Sequence, residues 1–321
     1  MSRVEFSPQP ANGYFRNNQP EKKPGIVAGA STVAVLDTGY DIHRDTDVAR
    51  TVLGKNYIDG SSDVTDDDGH GTKVASIILA KTNNGQDIAA VNWKTKVLIS
   101  RVQNGANEGT VQDLAAAIND VITNPIYSNL NIRVINISLA STNDIDHLEL
   151  RDAIGNAYNR NVLVVAGAKN EDDFTAPENC FIGFPAAYWQ VVSVVAVWRD
   201  ANSVYHHSYG CNRTTLDGNT YSGVDISAPG HDIKTLMVLN DGSNTVVNAQ
   251  ATSIAAPFVS GTAAAVAACI PNFTVGKLKD AVLNPAQDIG TTGIDSTFGH
   301  GLLFYGGTVI YNSYYQNCPS N

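Results

Sequence analysis

The chain has 321 residues, of which 43% are hydrophobic and 16% are charged, and its formal net charge is −10 at pH 7. This length and apolar content suffice for one large core or two small ones. The acidic balance argues against nucleic acid or an anionic membrane as the main partner, because both attract clustered Lys and Arg.

The N-terminal segment is rich in Pro, Gly and Asn and shows no periodicity. It predicts an extended arm over residues 1–25, followed by one domain over residues 26–321. No apolar run approaches the roughly 18 residues of a membrane span, and the arm has no apolar signal core. We therefore expect either an intracellular chain or a mature or trimmed form of a secreted or periplasmic one, and the low charged fraction favours the second.

Short apolar runs alternate with helix-like segments beyond the arm. Runs of Val, Ile and Leu predict strands buried on both faces, over residues 31–37, 96–102, 132–140, 161–168 and 190–197. Helices are predicted over residues 70–82, 110–123, 147–160, 253–270 and 274–284. This alternation indicates an α/β fold with a parallel sheet, in which ligands bind beyond the carboxyl ends of the strands.

Four polar residues lie at strand ends or helix starts. In chain order they are Asp37, His70, Asn170 and Ser253. Each alone has an ordinary explanation: a turn residue for the Asp and the Asn, a capping or core residue for the His, and an N-cap for the Ser. The acidic run 66–68 lacks the spacing of a calcium-binding EF-hand loop and is interpreted as a solvated turn.

Together the four residue types indicate nucleophilic catalysis. A Ser hydroxyl is a poor nucleophile until a neighbouring imidazole takes its proton. The imidazole needs a buried carboxylate that fixes its tautomer, and the tetrahedral oxyanion needs a preorganised donor, for which an Asn amide is suited.

Three segments in this order resemble the catalytic motifs of the subtilisin-like serine proteases: "DTGYD", "GHGTKVASI" and "ATSIAAPFVSG". Between and after them, "VINISLA", "GFPAAY", "DISAPG" and "GHGLL" are similar to other landmarks of that family, so that the resemblance extends from about residue 25 to residue 310. It implies a three-layer α/β sandwich with a mostly parallel central sheet.

The resemblance implies a serine endopeptidase and a role for each residue. Asp37 orients His70, which acts as general base and then as acid. Ser253 attacks the scissile carbonyl, and Asn170 with the Ser253 backbone N–H forms the oxyanion hole. A processing or toxin-like protease with a restricted target, and a catalytically silent fold used for binding, remain alternatives.

The same resemblance implies how a polypeptide substrate binds. An extended peptide would add as a strand between Ser138, Leu139 and Ala140 on one side and Gly109 on the other. The pocket for the residue before the cut would lie between residues 138–140, 167–170 and 183–185. We expect Gly167 and Gly183 to leave it open for a large apolar side chain, with Glu171 at the rim as an alternative that would admit a basic one.

Several positions depart from the family pattern. Ala251, Lys169 and Ala140 replace glycines of the motifs, and a Cβ strains any site that needs a positive φ. Family members usually bind structural calcium, for which Asp45, Asn83 and Asp87 are the candidate ligands here. They are also generally made with an inhibitory propeptide, so a propeptide or inhibitor is a candidate partner.

The four cysteines form no C-x-x-C pair and have no zinc-like spacing. The spacing alone does not distinguish free buried thiols from disulfides. The A subunit of a bacterial subtilase cytotoxin, which the chain resembles distantly in "LISRV" and "PAAY", has a late pairing. On that likeness we expect Cys269–Cys318, together with Cys180–Cys211, and hence an oxidising compartment.

Overall fold

The structure is a computed structural model that describes residues 31–106, 108–141, 145–170, 181–211, 223–270 and 272–304. The predicted arm over residues 1–25 lies outside the described residues, and so do Glu171, Cys180 and Cys318.

One large sheet carries eight strands. In chain order they are β1 (Thr32–Asp37), β2 (Thr51–Asn56), β3 (Lys96–Arg101), β4 (Ile132–Ile137), β5 (Leu163–Gly167), β6 (Val191–Arg199), β7 (Tyr205–Tyr209) and β8 (Ile226–Pro229). The spatial order is β2-β3-β1-β4-β5-β6-β7, with β8 also paired to β6. Every pair in this sheet is parallel except β6 with β7, which is antiparallel. A separate antiparallel hairpin consists of β9 (Ile233–Val238) and β10 (Asn244–Ala249).

Helices cover both faces of the sheet. They are α1 (His70–Leu79), α2 (Val111–Thr123), α3 (Leu148–Asn159), α4 (Thr252–Cys269) and α5 (Val275–Leu283). Alternate residues of β1 divide between two cores: Val33 and Val35 pack with α1, α4 and α5, whereas Ala34 and Leu36 pack with α2 and α3. The predicted three-layer α/β sandwich with a mostly parallel sheet is therefore confirmed.

The segments missed by the sequence analysis are β2, β7, β8 and the β9–β10 hairpin. Strands β2 ("TVLGKN") and β7 ("YHHSY") are short and largely polar, so they lack the continuous apolar run that marks a strand buried on both faces. Strand β8 has only four residues, which is too short for periodicity to distinguish it from a turn.

Helix α4 is 18 residues long and apolar enough to span a membrane by length and composition, so the prediction that no run approaches that length was wrong. All of it is buried inside the protein, however, between the sheet and helices α1 and α5. A core helix satisfies the same length criterion as a membrane span, and burial identifies α4 as the former.

Two of the four cysteines lie within the described residues. Cys211 and Cys269 are buried, and neither is a free thiol. The pairings Cys180–Cys211 and Cys269–Cys318 stay predictions, because each involves a residue outside the described ranges.

Candidate active site

The carboxyl end of β1 meets the first turn of α1. Asp37, the last residue of β1, is fully buried, and its Oδ1 accepts His70 Nδ1 at 2.6 Å and the Thr38 backbone N–H at 2.8 Å. A Cβ at Gly71 would overlap the backbone of Gly39, so this glycine permits the close approach of helix and strand. An ionised carboxylate can only accept, so Nδ1 carries the proton and Nε2 is left as the basic nitrogen.

The His70 imidazole has a shifted pKa. Burial alone would lower it, but the charge of Asp37 and its hydrogen bond outweigh burial and raise the pKa above its ordinary value. The imidazolium is therefore stabilised by the carboxylate beside it, which is the property a proton-accepting base requires.

Asp66 was interpreted as part of a solvated turn, and this was wrong. Its side chain is buried and accepts five hydrogen bonds, from Thr38 Oγ1, from the backbone N–H groups of Asp68, Gly69 and Thr72, and from Thr72 Oγ1. Thr38 Oγ1 in turn accepts the N–H of Gly71 at 2.8 Å. Asp66 thus links Thr38, which follows Asp37, to Gly69 and Thr72, which lie before and after His70 in the chain.

These hydrogen bonds also set the pKa of Asp66. Burial by itself would raise it, but the donors from Thr72, Thr38 and Gly69 hold the pKa below the usual carboxyl range. Helix α1 begins after Gly69, which adopts a left-handed conformation (φ 83°) and provides no side-chain cap. The Asp66 carboxylate supplies that cap from outside the helix.

Ser253 lies in the first turn of α4 and is not an N-cap. The N-cap position is Ala251, and no side chain caps the helix. Pro257 has no N–H to donate to the carbonyl of Ser253 four residues earlier, and Ser138 Oγ donates to that carbonyl instead at 2.7 Å. Ser138 itself accepts Asn136 Nδ2 at 3.0 Å, so β4 anchors the start of α4.

Asn170 follows β5 and contacts the residue before Ser253. Its Oδ1 accepts the Thr252 backbone N–H at 2.9 Å and Thr252 Oγ1 at 3.0 Å. Because both groups face the amide oxygen, the Nδ2 donor is turned away from Thr252. The Ile254 N–H bonds to the Ala251 carbonyl. The Ser253 N–H makes no hydrogen bond among the described residues.

The two halves of the site lie at the ends of neighbouring strands. Asp37 ends β1 and bonds to His70 of α1, the adjacent strand β4 leads to Ser138, and the next strand, β5, leads to Asn170. Among the described residues Ser253 Oγ donates no hydrogen bond to His70. Catalytic hydrogen bonds often close only when substrate is bound.

Comparisons with known proteins show the family to which the chain belongs. The Subtilase family profile (Peptidase_S8) matches residues 29–301. The chain belongs to the subtilase family. It is 30% identical over 292 residues to the "Thermostable alkaline protease" of Halalkalibacterium halodurans, an alignment that covers 91% of this chain and 71% of that protein. It is 31% identical over 283 residues to the "Minor extracellular protease Epr" of Bacillus subtilis, covering 88% of this chain and 39% of that protein.

Among solved structures, the "S41 Psychrophilic Protease" superposes with a TM-score of 0.72 and 26% identity, covering 86% of this chain and 92% of that one. The family and these relatives identify the protein as a serine endopeptidase.

The three glycine replacements in this subtilase differ in their conformational cost. Lys169 has φ 67°, in the left-handed region that disfavours a side chain by roughly 1–2 kcal/mol. Ala251 is extended, with φ 171°, and Ala140 is absent from the residues with positive φ. Only Lys169 therefore strains the backbone.

The residues expected to bind substrate differ in their burial and in the space around them. Leu139 is partly buried and packs against the core beneath α2 and α3. Gly109 has φ 150°, and a Cβ there would overlap the carbonyl oxygen of Val102. Gly167 does not leave an open space, because Thr252 Oγ1 would lie 2.8 Å from a Cβ at that position.

Two of the predicted calcium ligands, Asp45 and Asp87, accept hydrogen bonds from protein donors. Asp45 accepts the side-chain amide of Asn84, rather than that of Asn83, at 2.6 Å, and the Ile88 N–H at 3.1 Å. Asp87 is bound by the guanidinium of Arg44 through two hydrogen bonds of 3.1 Å. Calcium needs six to eight oxygen ligands, and the described residues contain no cluster of three or more acidic, His or Cys side chains that would hold a metal. Asp45, Asn83 and Asp87 stay predicted ligands, and calcium enters no step below.

Proposed function

We propose that the protein hydrolyses peptide bonds through Asp37, His70 and Ser253, with an oxyanion hole formed by Asn170 Nδ2 and the Ser253 N–H. The observation that carries this proposal is the 2.6 Å contact between the buried Asp37 carboxylate and His70 Nδ1. It leaves Nε2 as the acceptor for a hydroxyl proton.

In the first half-reaction, Ser253 Oγ attacks the scissile carbonyl carbon while its proton passes to His70 Nε2. The negative charge on the carbonyl oxygen is then met by two fixed donors, Asn170 Nδ2 and the Ser253 N–H. His70 returns the proton to the leaving amine nitrogen as the C–N bond breaks, and an acyl-enzyme remains.

In the second half-reaction a water replaces the amine. His70 Nε2 accepts a proton from this water, whose oxygen attacks the acyl carbon. Collapse of the second tetrahedral species returns the proton to Ser253 Oγ and frees the carboxylic acid product. Asp37 keeps its charge throughout and stabilises the imidazolium in both halves.

We further propose an extended polypeptide substrate held by the backbone of residues 138–140, and secretion into an oxidising compartment. A relative named "Minor extracellular protease Epr" supports secretion, as do the two cysteines that are not free. A restricted target is the second candidate function. Lys169, which occupies a strained conformation beside Asn170, favours it.

A serine-directed phosphonofluoridate probe tests the proposed function. We expect stoichiometric labelling of the native protein and none of Ser253→Ala. Ser260→Ala is the matched control, because Ser260 lies on the same helix, buried and bonded to Asn136, and this variant should still label. A folded native protein that does not label would refute the catalytic role and favour a binding function for the fold.

A further inference from the structure

The pocket expected to hold the residue before the cut is bounded by three segments that contact one another. Around Gly183, an ideal Cβ would lie 3.1 Å from Ala140 Cβ, 3.2 Å from Lys169 Cβ and 3.3 Å from Lys169 Cδ. The sequence-based expectation of a large apolar side chain requires open space over Gly183. Instead, two side chains from opposite walls converge there.

The distance between these two walls limits what can enter. Because both Cβ atoms lie so close to one point, they are at most about 6.3 Å apart. A carbon placed between two others needs about 3.5–4.0 Å to each, and hence about 7–8 Å between the walls. An aromatic ring or branched side chain therefore cannot pass between Ala140 and Lys169 to reach Gly183.

The limit does not depend on the rotamer of Lys169, because a Cβ position is fixed by the backbone. The first wall is held by Ser138, which bonds to Ser253, and by Ser141, whose N–H donates to the Phe184 carbonyl at 2.9 Å. The second wall is held by Ala168, whose N–H donates to the Val194 carbonyl at 2.9 Å. Widening the gap would break these bonds.

The strained backbone conformation of Lys169 also supports a functional role for its side chain. A lysine at φ 67° costs stability that glycine would not, and strain of this kind clusters at functional sites. Lys169 immediately precedes Asn170, and its Cβ and Cδ lie beside the position that a Cβ at Gly183 would take.

We propose that Lys169 and Ala140 are specificity-determining residues that close the pocket over Gly183, so that the enzyme accepts only a small side chain, of the size of Gly, Ala or Ser, before the cleaved bond. This inference rests on the proposed function, since it concerns the substrate of the same site.

Two peptidyl diphenyl phosphonates that differ only in the residue at phosphorus, Ala or Phe, test it on the native protein. These compounds phosphonylate the active serine: Oγ attacks phosphorus, phenoxide leaves, and no turnover is required, so their second-order rate constants report entry into the pocket. We expect the Ala compound to react at least about 10-fold faster than the Phe compound, the scale of discrimination that a tight pocket provides.

Substitution identifies the residues responsible. Lys169→Gly, alone and combined with Ala140→Gly, should raise the Phe-to-Ala rate ratio at least about 10-fold. Ser203→Gly is the matched control, because Ser203 has the same φ of 67° on an exposed turn outside the pocket, and its ratio should equal that of the native protein.

A native protein that reacts with the Phe compound as fast as with the Ala compound overturns the inference, and so does an unchanged ratio in both glycine variants. Labelling by the phosphonofluoridate probe separates this failure from failure of the proposed function. If the probe labels Ser253 and the ratios fail, only the pocket assignment is wrong. If neither probe nor phosphonate labels the protein, both proposals fail.

Discussion

Thr252 holds Asn170 by two hydrogen bonds to a single oxygen, from its backbone N–H at 2.9 Å and its Oγ1 at 3.0 Å. A side-chain amide on a loop has free rotation about its last bond, and these contacts decide which of its two ends faces the site. Thr252 is therefore a positioning residue for the proposed oxyanion donor.

Replacing Thr252 with Val removes the hydroxyl bond and keeps the shape and the N–H bond. We expect kcat to fall about 10-fold with little change in KM, because the loss is felt as charge develops on the substrate oxygen. Thr262→Val is the control: Thr262 lies on the same helix, and its hydroxyl donates to the Phe258 carbonyl within that helix. Equal effects of the two substitutions on kcat would contradict the positioning role.

Asp37→Asn tests the pKa of the base. In the native protein Asp37 raises the pKa of His70, and the imidazole must be neutral to accept a proton. Activity should therefore appear as pH rises through a value above the ordinary 6.5 of histidine. The Asn variant loses this effect while burial persists, so the acid limb of kcat/KM should move to lower pH, and the plateau should fall by about 10⁴. An acid limb at the same pH in both proteins would show that Asp37 does not control His70.

Asp66→Asn tests the carboxylate that caps α1. Three of the five donors bond to Oδ1 and two to Oδ2, so in the amide at least two of them would face an NH2 group. We expect a loss of about 3 kcal/mol in the free energy of unfolding, measured by urea denaturation. Because the native pKa of Asp66 is lowered, its contribution is present at neutral pH and disappears as pH falls through that lowered pKa, and the difference between the two proteins should shrink there.

Asp63→Asn is the control for this substitution. Asp63 also accepts from a nearby threonine, Thr65, through its N–H and hydroxyl, but it is exposed. Exposed changes of this kind remain within about 0.5–1 kcal/mol. A loss at Asp66 no larger than the loss at Asp63 would refute the structural role assigned to burial.

The sequence could predict the sheet and the catalytic segments because each depends on local pattern. Apolar runs mark β1, β4 and β5, and the polar residue after each run lies at the strand end. The burial of Asp66 could not be predicted in this way, since "DDDG" has the same composition as an exposed turn. One signal was present for Ser138: Pro257, four residues after Ser253, leaves a carbonyl that needs an outside donor.

Contacts between distant segments could not be predicted from the sequence, for a different reason. Lys169 and Ala140 were recognisable as replacements of glycine, but a sequence does not state whether two such side chains share one space. Their convergence on Gly183 depends on how β4 and β5 are spaced and where the chain returns before β6. The same holds for Lys279, which no motif distinguishes from the neighbouring Lys277.

Lys279 forms a largely buried ion pair with Asp225. Its Nζ lies 3.2 Å from the Asp225 carboxylate and also donates to the carbonyls of Trp189 and Val191, at 3.0 and 2.9 Å. Burial raises the pKa of Asp225, an effect that Lys279 and the Ser193 N–H oppose without cancelling. Helix α5 is thus tied to the start of β6 through one ammonium group.

Lys279→Met should destabilise the protein by about 3 kcal/mol at neutral pH, because it leaves the largely buried Asp225 carboxylate without its cation and the Val191 carbonyl without this donor. Lys277→Met, at an exposed position on the same helix, should change stability by no more than about 0.5 kcal/mol.

A carboxyl with a raised pKa becomes neutral as pH falls through that value and then no longer needs a cation. The Lys279→Met loss should therefore be largest above the raised pKa of Asp225 and shrink below it, as thermal unfolding across a pH series would measure. A loss that is independent of pH would mean that the packing of the lysine stem, and not its charge, stabilises this junction.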